Sequence, residues 1–456
     1  MKKILLLVVV TLLLTAGMAA AADDSSWLTI GGDYRFRYDV LEGKVHSYTG
    51  SPNPFGLPAA GLQPGYTVKN NSFMTNRFGL NLKADAAEDV VVKARLVMYK
   101  VFGQQSDGGY NPFMGGYFAD RGAVNDGTTA HVPGSSSLLV DYAYATVNNV
   151  FDAPLWVSIG RRPSTGGIPS NLRQNQEKIG TAGIPAILVD YAFDGMTLGY
   201  APDIAKLPGA YAKLCYGRGY ESGYTDKTAT RSGSDTDFIG LNAVPYDTEK
   251  MHVEVQYQKG MNIFDNPSDT PPTTNLGDIS WIGGVVTGKV NNLNVFVSAA
   301  TSKTDPNGNT WMNLGSASLM NDGSSKTSRT GNAIYIGGRY DMGRTKIGAE
   351  YNQGSKYWIS MVPAADDIWT SKLGTRGQVY EVYVIQELNR KPISKKGKAF
   401  VKLGYQYYNF DYTGSNNWVG EPKKISDLNT TNPLLAQMLA PVETAKDLYL
   451  TFEVQF

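Results

Sequence analysis

The side chains with most to offer chemically are basic. Arg35, Arg37, Arg77, Lys83, Lys93 and Arg95 fall in the first quarter of the chain, each inside a segment that alternates polar and apolar residues. Arg162 stands at the end of a fifth such segment. Guanidinium and ammonium groups gathered on one wall raise the local concentration of anions. Glu254, Glu350, Glu381 and Glu387, in later segments, would supply an opposing acidic wall and a field between the two. The competing expectation is local neutralisation of the basic arc by Asp33, Asp39, Asp85 and Asp141.

Covalent chemistry has less support. The three histidines, His46, His131 and His252, stand in no local motif. A hydrolytic Asp–His pair would have to be assembled from loops. No spacing of His, Cys and carboxylates reads as a metal site. "TDPNGNT" and "MNDGSS" lack the spaced ligands and closing Glu of a calcium loop, and turn chemistry explains them. There is no Cys-x-x-Cys-His for attached haem. No catalytic residue, metal or cofactor is expected.

The elements that carry the basic arc are strands. In "DYRFRYDV", Asp33, Arg35, Arg37 and Asp39 share one face, and Tyr34, Phe36, Tyr38 and Val40 share the other. "NRFGLNLKAD" puts Arg77, Asn81, Lys83 and Asp85 opposite Phe78, Leu80, Leu82 and Ala84. "VVVKARLVMY", "MHVEVQYQ", "TKIGAEYN" and the terminal "LYLTFEVQF" repeat the pattern. A two-sheet sandwich also alternates, but its connections have no reason to alternate in length. Here short links such as "AAED", "VNN" and "MGR" trade places with long ones rich in Gly, Ser, Asn and Pro. Strands of about ten residues with that asymmetry describe an all-β, transmembrane antiparallel β-barrel, with short periplasmic turns and long extracellular loops.

Sixteen strands are expected, near 27–40, 72–85, 90–102, 138–148, 155–161, 186–200, 210–220, 237–246, 250–260, 280–290, 293–303, 332–342, 345–357, 377–389, 398–412 and 446–456. The span 186–200 is read as one long strand with a bulge. Its Asp194-Gly195 is a hairpin signal, and a hairpin there leaves eighteen strands as the alternative. Closure pairs every backbone group and leaves no edge. Aromatic faces then meet lipid, and polar faces look onto a wet lumen where they need no buried partners.

The address agrees. Met1-Lys2-Lys3, an apolar run to Leu14 and small residues to Ala22 form a secretory signal peptide over 1–22, leaving 23–456 as the barrel. With 42 basic and 41 acidic residues the chain lacks the basic excess that nucleic acid asks for. The single cysteine, Cys215, permits no internal disulfide.

The signal peptide, the repeated strands and terminal Phe456 resemble Gram-negative outer-membrane porins. The last segment resembles the C-terminal signal read by the barrel-assembly machinery. "IGRRPSTGGIPSNL", "LVDYAFDGMTLGYAP" and "LPGAYAKLCYGRGYESG" resemble a porin-like family of metal-reducing deltaproteobacteria. The resemblance implies a channel in the outer membrane, among lipid and lipopolysaccharide, passing small hydrophilic solutes or ions. In general porins the third external loop folds inward. Here that loop is 161–185, with Arg173, Glu177 and Lys178 as its charged set; the alternative is an ordinary surface loop. "LNTTNPLLAQMLAPVETAK" is read as a helical turn near Leu434 to Leu439, packed on the loops. A homotrimer is an expectation for a conduit of this size. A barrel sheathing a cytochrome, or an adhesin acting through its loops, are the other readings.

Overall fold

The computed structural model describes residues 27–50, 61–103, 129–131, 133–162, 167–178, 187–221, 235–265, 274–362, 367–388, 397–430 and 441–456. The signal peptide and the turn near 434–439 lie outside these residues.

Sixteen strands form one closed antiparallel barrel. They are β1 (Leu28–Val45), β2 (Tyr66–Ala87), β3 (Val90–Val101), β4 (Leu139–Val147), β5 (Leu155–Arg161), β6 (Asp194–Tyr200), β7 (Tyr211–Tyr220) and β8 (Thr236–Asp247). The second half is β9 (Met251–Phe264), β10 (Asn275–Val290), β11 (Leu293–Pro306), β12 (Thr330–Met342), β13 (Thr345–Gly354), β14 (Gly377–Glu387), β15 (Lys398–Phe410) and β16 (Val442–Gln455). Each strand bonds its neighbours in sequence, and β16 closes on β1 with Leu450 opposite Tyr38.

Alternation sets which face is which. Leu198, Leu241, Val255, Ile282, Val297, Val382 and Leu403 point out and are exposed. Tyr200, Tyr257, Tyr340 and Tyr380 join them. An apolar outer wall with aromatics is stable only against hydrocarbon. Tight links close one end. Asp89, Asn291 and Gly343 take positive φ (60°, 52° and 61°) in the turns after β2, β10 and β12, as two-residue hairpins require.

Sixteen strands were expected, and sixteen are found. The expected long strand over 186–200 is not. β6 begins only at Asp194, and Asp194-Gly195 opens that strand instead of turning a hairpin. Residues 187–193 leave the wall and run inside it, with Ile187 and Leu188 fully buried. The reason is pattern: "AILV" is contiguous apolar, so neither side can face water.

The wet lumen is also corrected. The largest apolar cluster lies inside the barrel and joins Phe238, Ile279, Trp281, Phe296 and Tyr335 of the wall to Leu188, Leu319, Trp358, Ile359 and Met361 of loops. A second cluster holds Leu41, Phe73, Val379 and Tyr408 against Ile368 and Trp369. Four indole N–H groups find carbonyls in this packing. Trp281 donates to Ile359, Trp358 to Leu373, Trp369 to Lys446 and Trp418 to Phe264, at 2.7 to 2.9 Å. Glycines make room for inward rings: a Cβ at Gly404 would strike the ring of Tyr449 from the next strand.

Candidate functional site

The described parts of the third long loop, residues 167–178 and 187–193, enter the barrel. Its single helical turn, Ser170–Arg173, carries Arg173 to the far wall. There Arg173 Nη1 meets Asp367 Oδ1 at 2.7 Å and Glu381 Oε2 at 3.1 Å. Burial alone would pull this guanidinium down, but the carboxylates of Asp367, Glu381 and Glu350 hold it well above its usual range. Arg339 donates to the Leu172 carbonyl at 2.6 Å, and Lys402 approaches that of Arg173 at 3.4 Å. Asn175 is gripped by Lys346, Glu387 and Lys398 at 2.6 to 3.0 Å. These three sit where β13, β14 and β15 reach the short-turn end. Lys178 then pairs with Asp247 at the same end of β8. The loop therefore spans the lumen close to its lower mouth. Glu177 is exposed between these anchors. Residues 163–166 and 179–186 lie outside the described residues.

The described parts of the seventh long loop, residues 355–362 and 367–376, enter as well. Its Lys372 ammonium bridges Glu350 and Glu381. Tyr335 and Tyr449 donate to Glu350 and Glu381 at 2.6 and 2.7 Å, and Gln406 to Asp367 at 2.7 Å. Buried charge survives only when paired and hydrogen-bonded, and this knot satisfies that. Above it, Arg376 donates to the carbonyls of Trp358, Thr413, Gly414 and Asn417 and lies 3.4 Å from Met320 Sδ. It ties the seventh long loop to the sixth, residues 307–329, and to the described part of the eighth, residues 411–430. On the return path of the third loop, Asp190 N donates to Met361 O at 2.7 Å. Burial pushes the Asp190 carboxyl well above the usual carboxylate range, against the charge of Lys213.

The expected acidic wall is therefore not a bare wall. Glu350 and Glu381 are consumed by the knot, Glu387 by Lys346 and Asn175, and Glu254 by His252, Gln256 and Asn242. A field across open water between two walls does not form here.

The basic arc divides. Arg37 is fully buried between Asp39 (2.6 Å) and Asp447 (2.7 Å), beneath the Tyr449 ring. Arg35 is buried with its guanidinium 5.4 Å from the Tyr99 ring centroid. Arg162 donates to Ser158 and lies over the Tyr144 ring. Lys83 and Lys93 are register partners near the turn after β2, and Lys83 pairs with Asp85 at 3.0 Å.

Arg77 and Arg95 line a cavity of about 360 Å³ between β1–β4 and the third loop. Arg95 meets Asp33 at 2.6 Å and Asp141 at 3.3 Å, and Arg77 lies 3.6 Å from Asp33. His131, from the second long loop, meets Asp141 at 3.1 Å. Gln174 and Gln176 close the cavity from the third loop; Gly32, Gln455 and Phe456 mark its lower end. Phe456 is held there by backbone bonds of 2.7 and 2.9 Å to Gly32.

Sequence reading missed Gln174, Gln176 and His131 as lining groups, and Asp367 and Lys372 altogether. A signal for the last two existed. Trp358, Ile359, Met361 and Trp369 are too apolar for a solvated loop, so their loop had to bury itself. The His46 ring Nδ1 bonds the Ser47 carbonyl at 2.6 Å, and its backbone N–H donates to Pro441 O at 2.9 Å. His252 sits between Asp247 and Glu254 as part of the lower anchor. Among the described residues no cluster of His, Cys, Asp and Glu could hold a metal ion. Asp322 pairs with Lys423 instead.

Among solved structures the chain is similar to an anion-selective porin from Comamonas acidovorans, at 12% identity and TM-score 0.47, covering 94% of this chain and 99% of that one. It is similar to outer-membrane expressed OmpT of Vibrio cholerae at 13% identity and TM-score 0.44, covering 95% and 99%. A third is Salmonella typhi OmpF in complex with daunomycin, at 11% identity and TM-score 0.42, covering 93% and 97%. These likenesses are too distant to transfer a site. No curated protein matches the sequence. The model of DUF3373, described as a protein of unknown function, matches residues 67–456, and the chain belongs to that family.

Proposed function

We propose that the protein is an outer-membrane channel that passes small hydrophilic solutes or ions passively along one side of its lumen, without a reaction. The observation that carries this is the polar cavity between β1–β4 and the third loop. Water reaches Arg77, Arg95, Gln174 and Gln176 there, while the opposite half of the lumen is packed. The apolar outer wall supports a place in the outer membrane. Terminal Phe456 fits an assembly signal, and a homotrimer fits the barrel size. The three quoted segments support a place in the porin-like group of metal-reducing deltaproteobacteria.

The test is single-channel conductance of the purified chain in a planar bilayer. Small discrete steps are expected, well below those of an unplugged sixteen-stranded barrel. A silent bilayer with folded, inserted protein would overturn the reading.

One observation favours a second reading. The sixth, seventh and eighth loops form a tightly bonded lid around Arg376, which a barrel acting through its loops would also need. Such a barrel stays silent in the bilayer and loses its function when the loops are trimmed. A cytochrome sheath has less support, because the protein's own loops occupy the volume a partner would need.

A further inference from the structure

The cavity beside β1–β4 carries both signs of charge. Asp33 and Asp141 line it together with Arg77 and Arg95. Each of these four lies against an opposite charge. Arg95 meets Asp33 at 2.6 Å and Asp141 at 3.3 Å, and Arg77 lies 3.6 Å from Asp33. His131 turns its Nε2 to Asp141 at 3.1 Å. Two guanidiniums and two carboxylates in contact leave no net charge, so their fields largely cancel where a solute would pass. Such a cluster gathers neither anions nor cations.

What it leaves for a solute is uncharged. Gln174 and Gln176 line the cavity from the third loop. Their backbone N–H groups are tied to Ser170 O at 3.1 Å and Asn171 O at 3.0 Å. Their side-chain amides make no hydrogen bond among the described residues, and both residues are half-buried. An amide offers two N–H donors and a carbonyl acceptor, which match hydroxyl groups that both donate and accept. Val97, Tyr99, Ala130 and Phe456 lie beside them and suit the C–H faces of a small polyol. An ion gives up hydration here and finds no net counter-charge to offset the loss.

We propose that this cavity is a charge-compensated filter, which passes uncharged, hydrogen-bonding solutes such as small polyols ahead of anions and cations alike. The inference rests on the channel reading and names its solute class. The experiment has two readouts on the folded full chain. Reversal potential in a KCl gradient at pH 8 gives the ratio of K⁺ to Cl⁻ permeability. Proteoliposomes then take up labelled erythritol, succinate or putrescine, four-carbon solutes that are neutral, anionic and cationic. A permeability ratio within about threefold of one is expected, with erythritol entering at least about fivefold faster than either ion.

Gln176→Glu breaks no described side-chain hydrogen bond and adds a charge to a balanced cluster. It should move the ratio about threefold towards K⁺, and Gln176→Lys about as far towards Cl⁻. A native ratio beyond about threefold in either direction would overturn the proposal. So would succinate or putrescine entering as fast as erythritol, or a ratio unmoved by both Gln176 variants. A silent bilayer and no uptake of any solute, from folded and inserted protein, would instead remove the channel reading beneath it.

Discussion

Arg173 Nη1 and Asp367 Oδ1 lie 2.7 Å apart in the middle of the barrel, one from the third loop and one from the seventh. Each loop is the other's counter-charge. The plug is therefore a single unit, and Glu381 on β14 roots it in the wall at 3.1 Å.

Arg173→Met should uncouple that unit. Removing one member of a buried, hydrogen-bonded charge cluster costs about 3–5 kcal/mol. Here the loss falls on the plug, because the sixteen-strand ladder does not depend on it. We expect higher conductance with more open-channel noise, and an unchanged heat-modifiable band on gels. Conductance identical to that of the native chain would show that the loops do not limit flow.

Arg376→Lys should loosen the lid. The guanidinium serves four backbone carbonyls in fixed directions; an ammonium has three donors and cannot reproduce the fork. Losing about two charge-assisted bonds costs about 3–6 kcal/mol. Limited proteolysis of the intact barrel should show faster cleavage in the sixth and eighth loops, with the strands still protected.

Glu421 sets an acid limit on the same lid. Partial burial pushes its carboxyl up. Hydrogen bonds from Lys356 and Tyr357, with the charges of Lys423 and Lys356, outweigh this and hold it at about 2. Because the folded value lies below the unfolded one, its contribution is full above the ordinary glutamate range. It fades as pH falls through that range towards about 2. A spin label at Ser426→Cys, in a Cys215→Ser chain, should stay immobile at pH 5 and gain mobility near pH 2. Glu421→Gln should remove most of that pH dependence.

Much of the fold was legible because a barrel strand writes its environment in alternate residues. Asp33, Arg35, Arg37 and Asp39 announced an inward face, and the links at Asp89, Asn291 and Gly343 announced tight turns. The interior was legible only in part. Alternation says that Glu350 and Glu381 point inward; it does not say that Lys372 and Arg173 will arrive from loops to meet them. Pairing across such separations depends on where loops fold. The one misread strand, 186–200, failed for the same reason. Its apolar run belonged to a packed interior that the wet-lumen expectation left out.

In the proposed channel, water crosses the barrel beside β1–β4 and not through the half of the lumen that the described residues pack. Cysteine accessibility tests it most directly. In a Cys215→Ser background, Gln176→Cys lines the cavity, and Ser298→Cys lies on β11 beneath the apolar packing, where Ser298 is 1% exposed. A charged methanethiosulfonate reagent is added during bilayer recording. The account requires current through the Gln176→Cys chain to fall stepwise and current through the Ser298→Cys chain to hold. Block at Ser298→Cys with none at Gln176→Cys would contradict it.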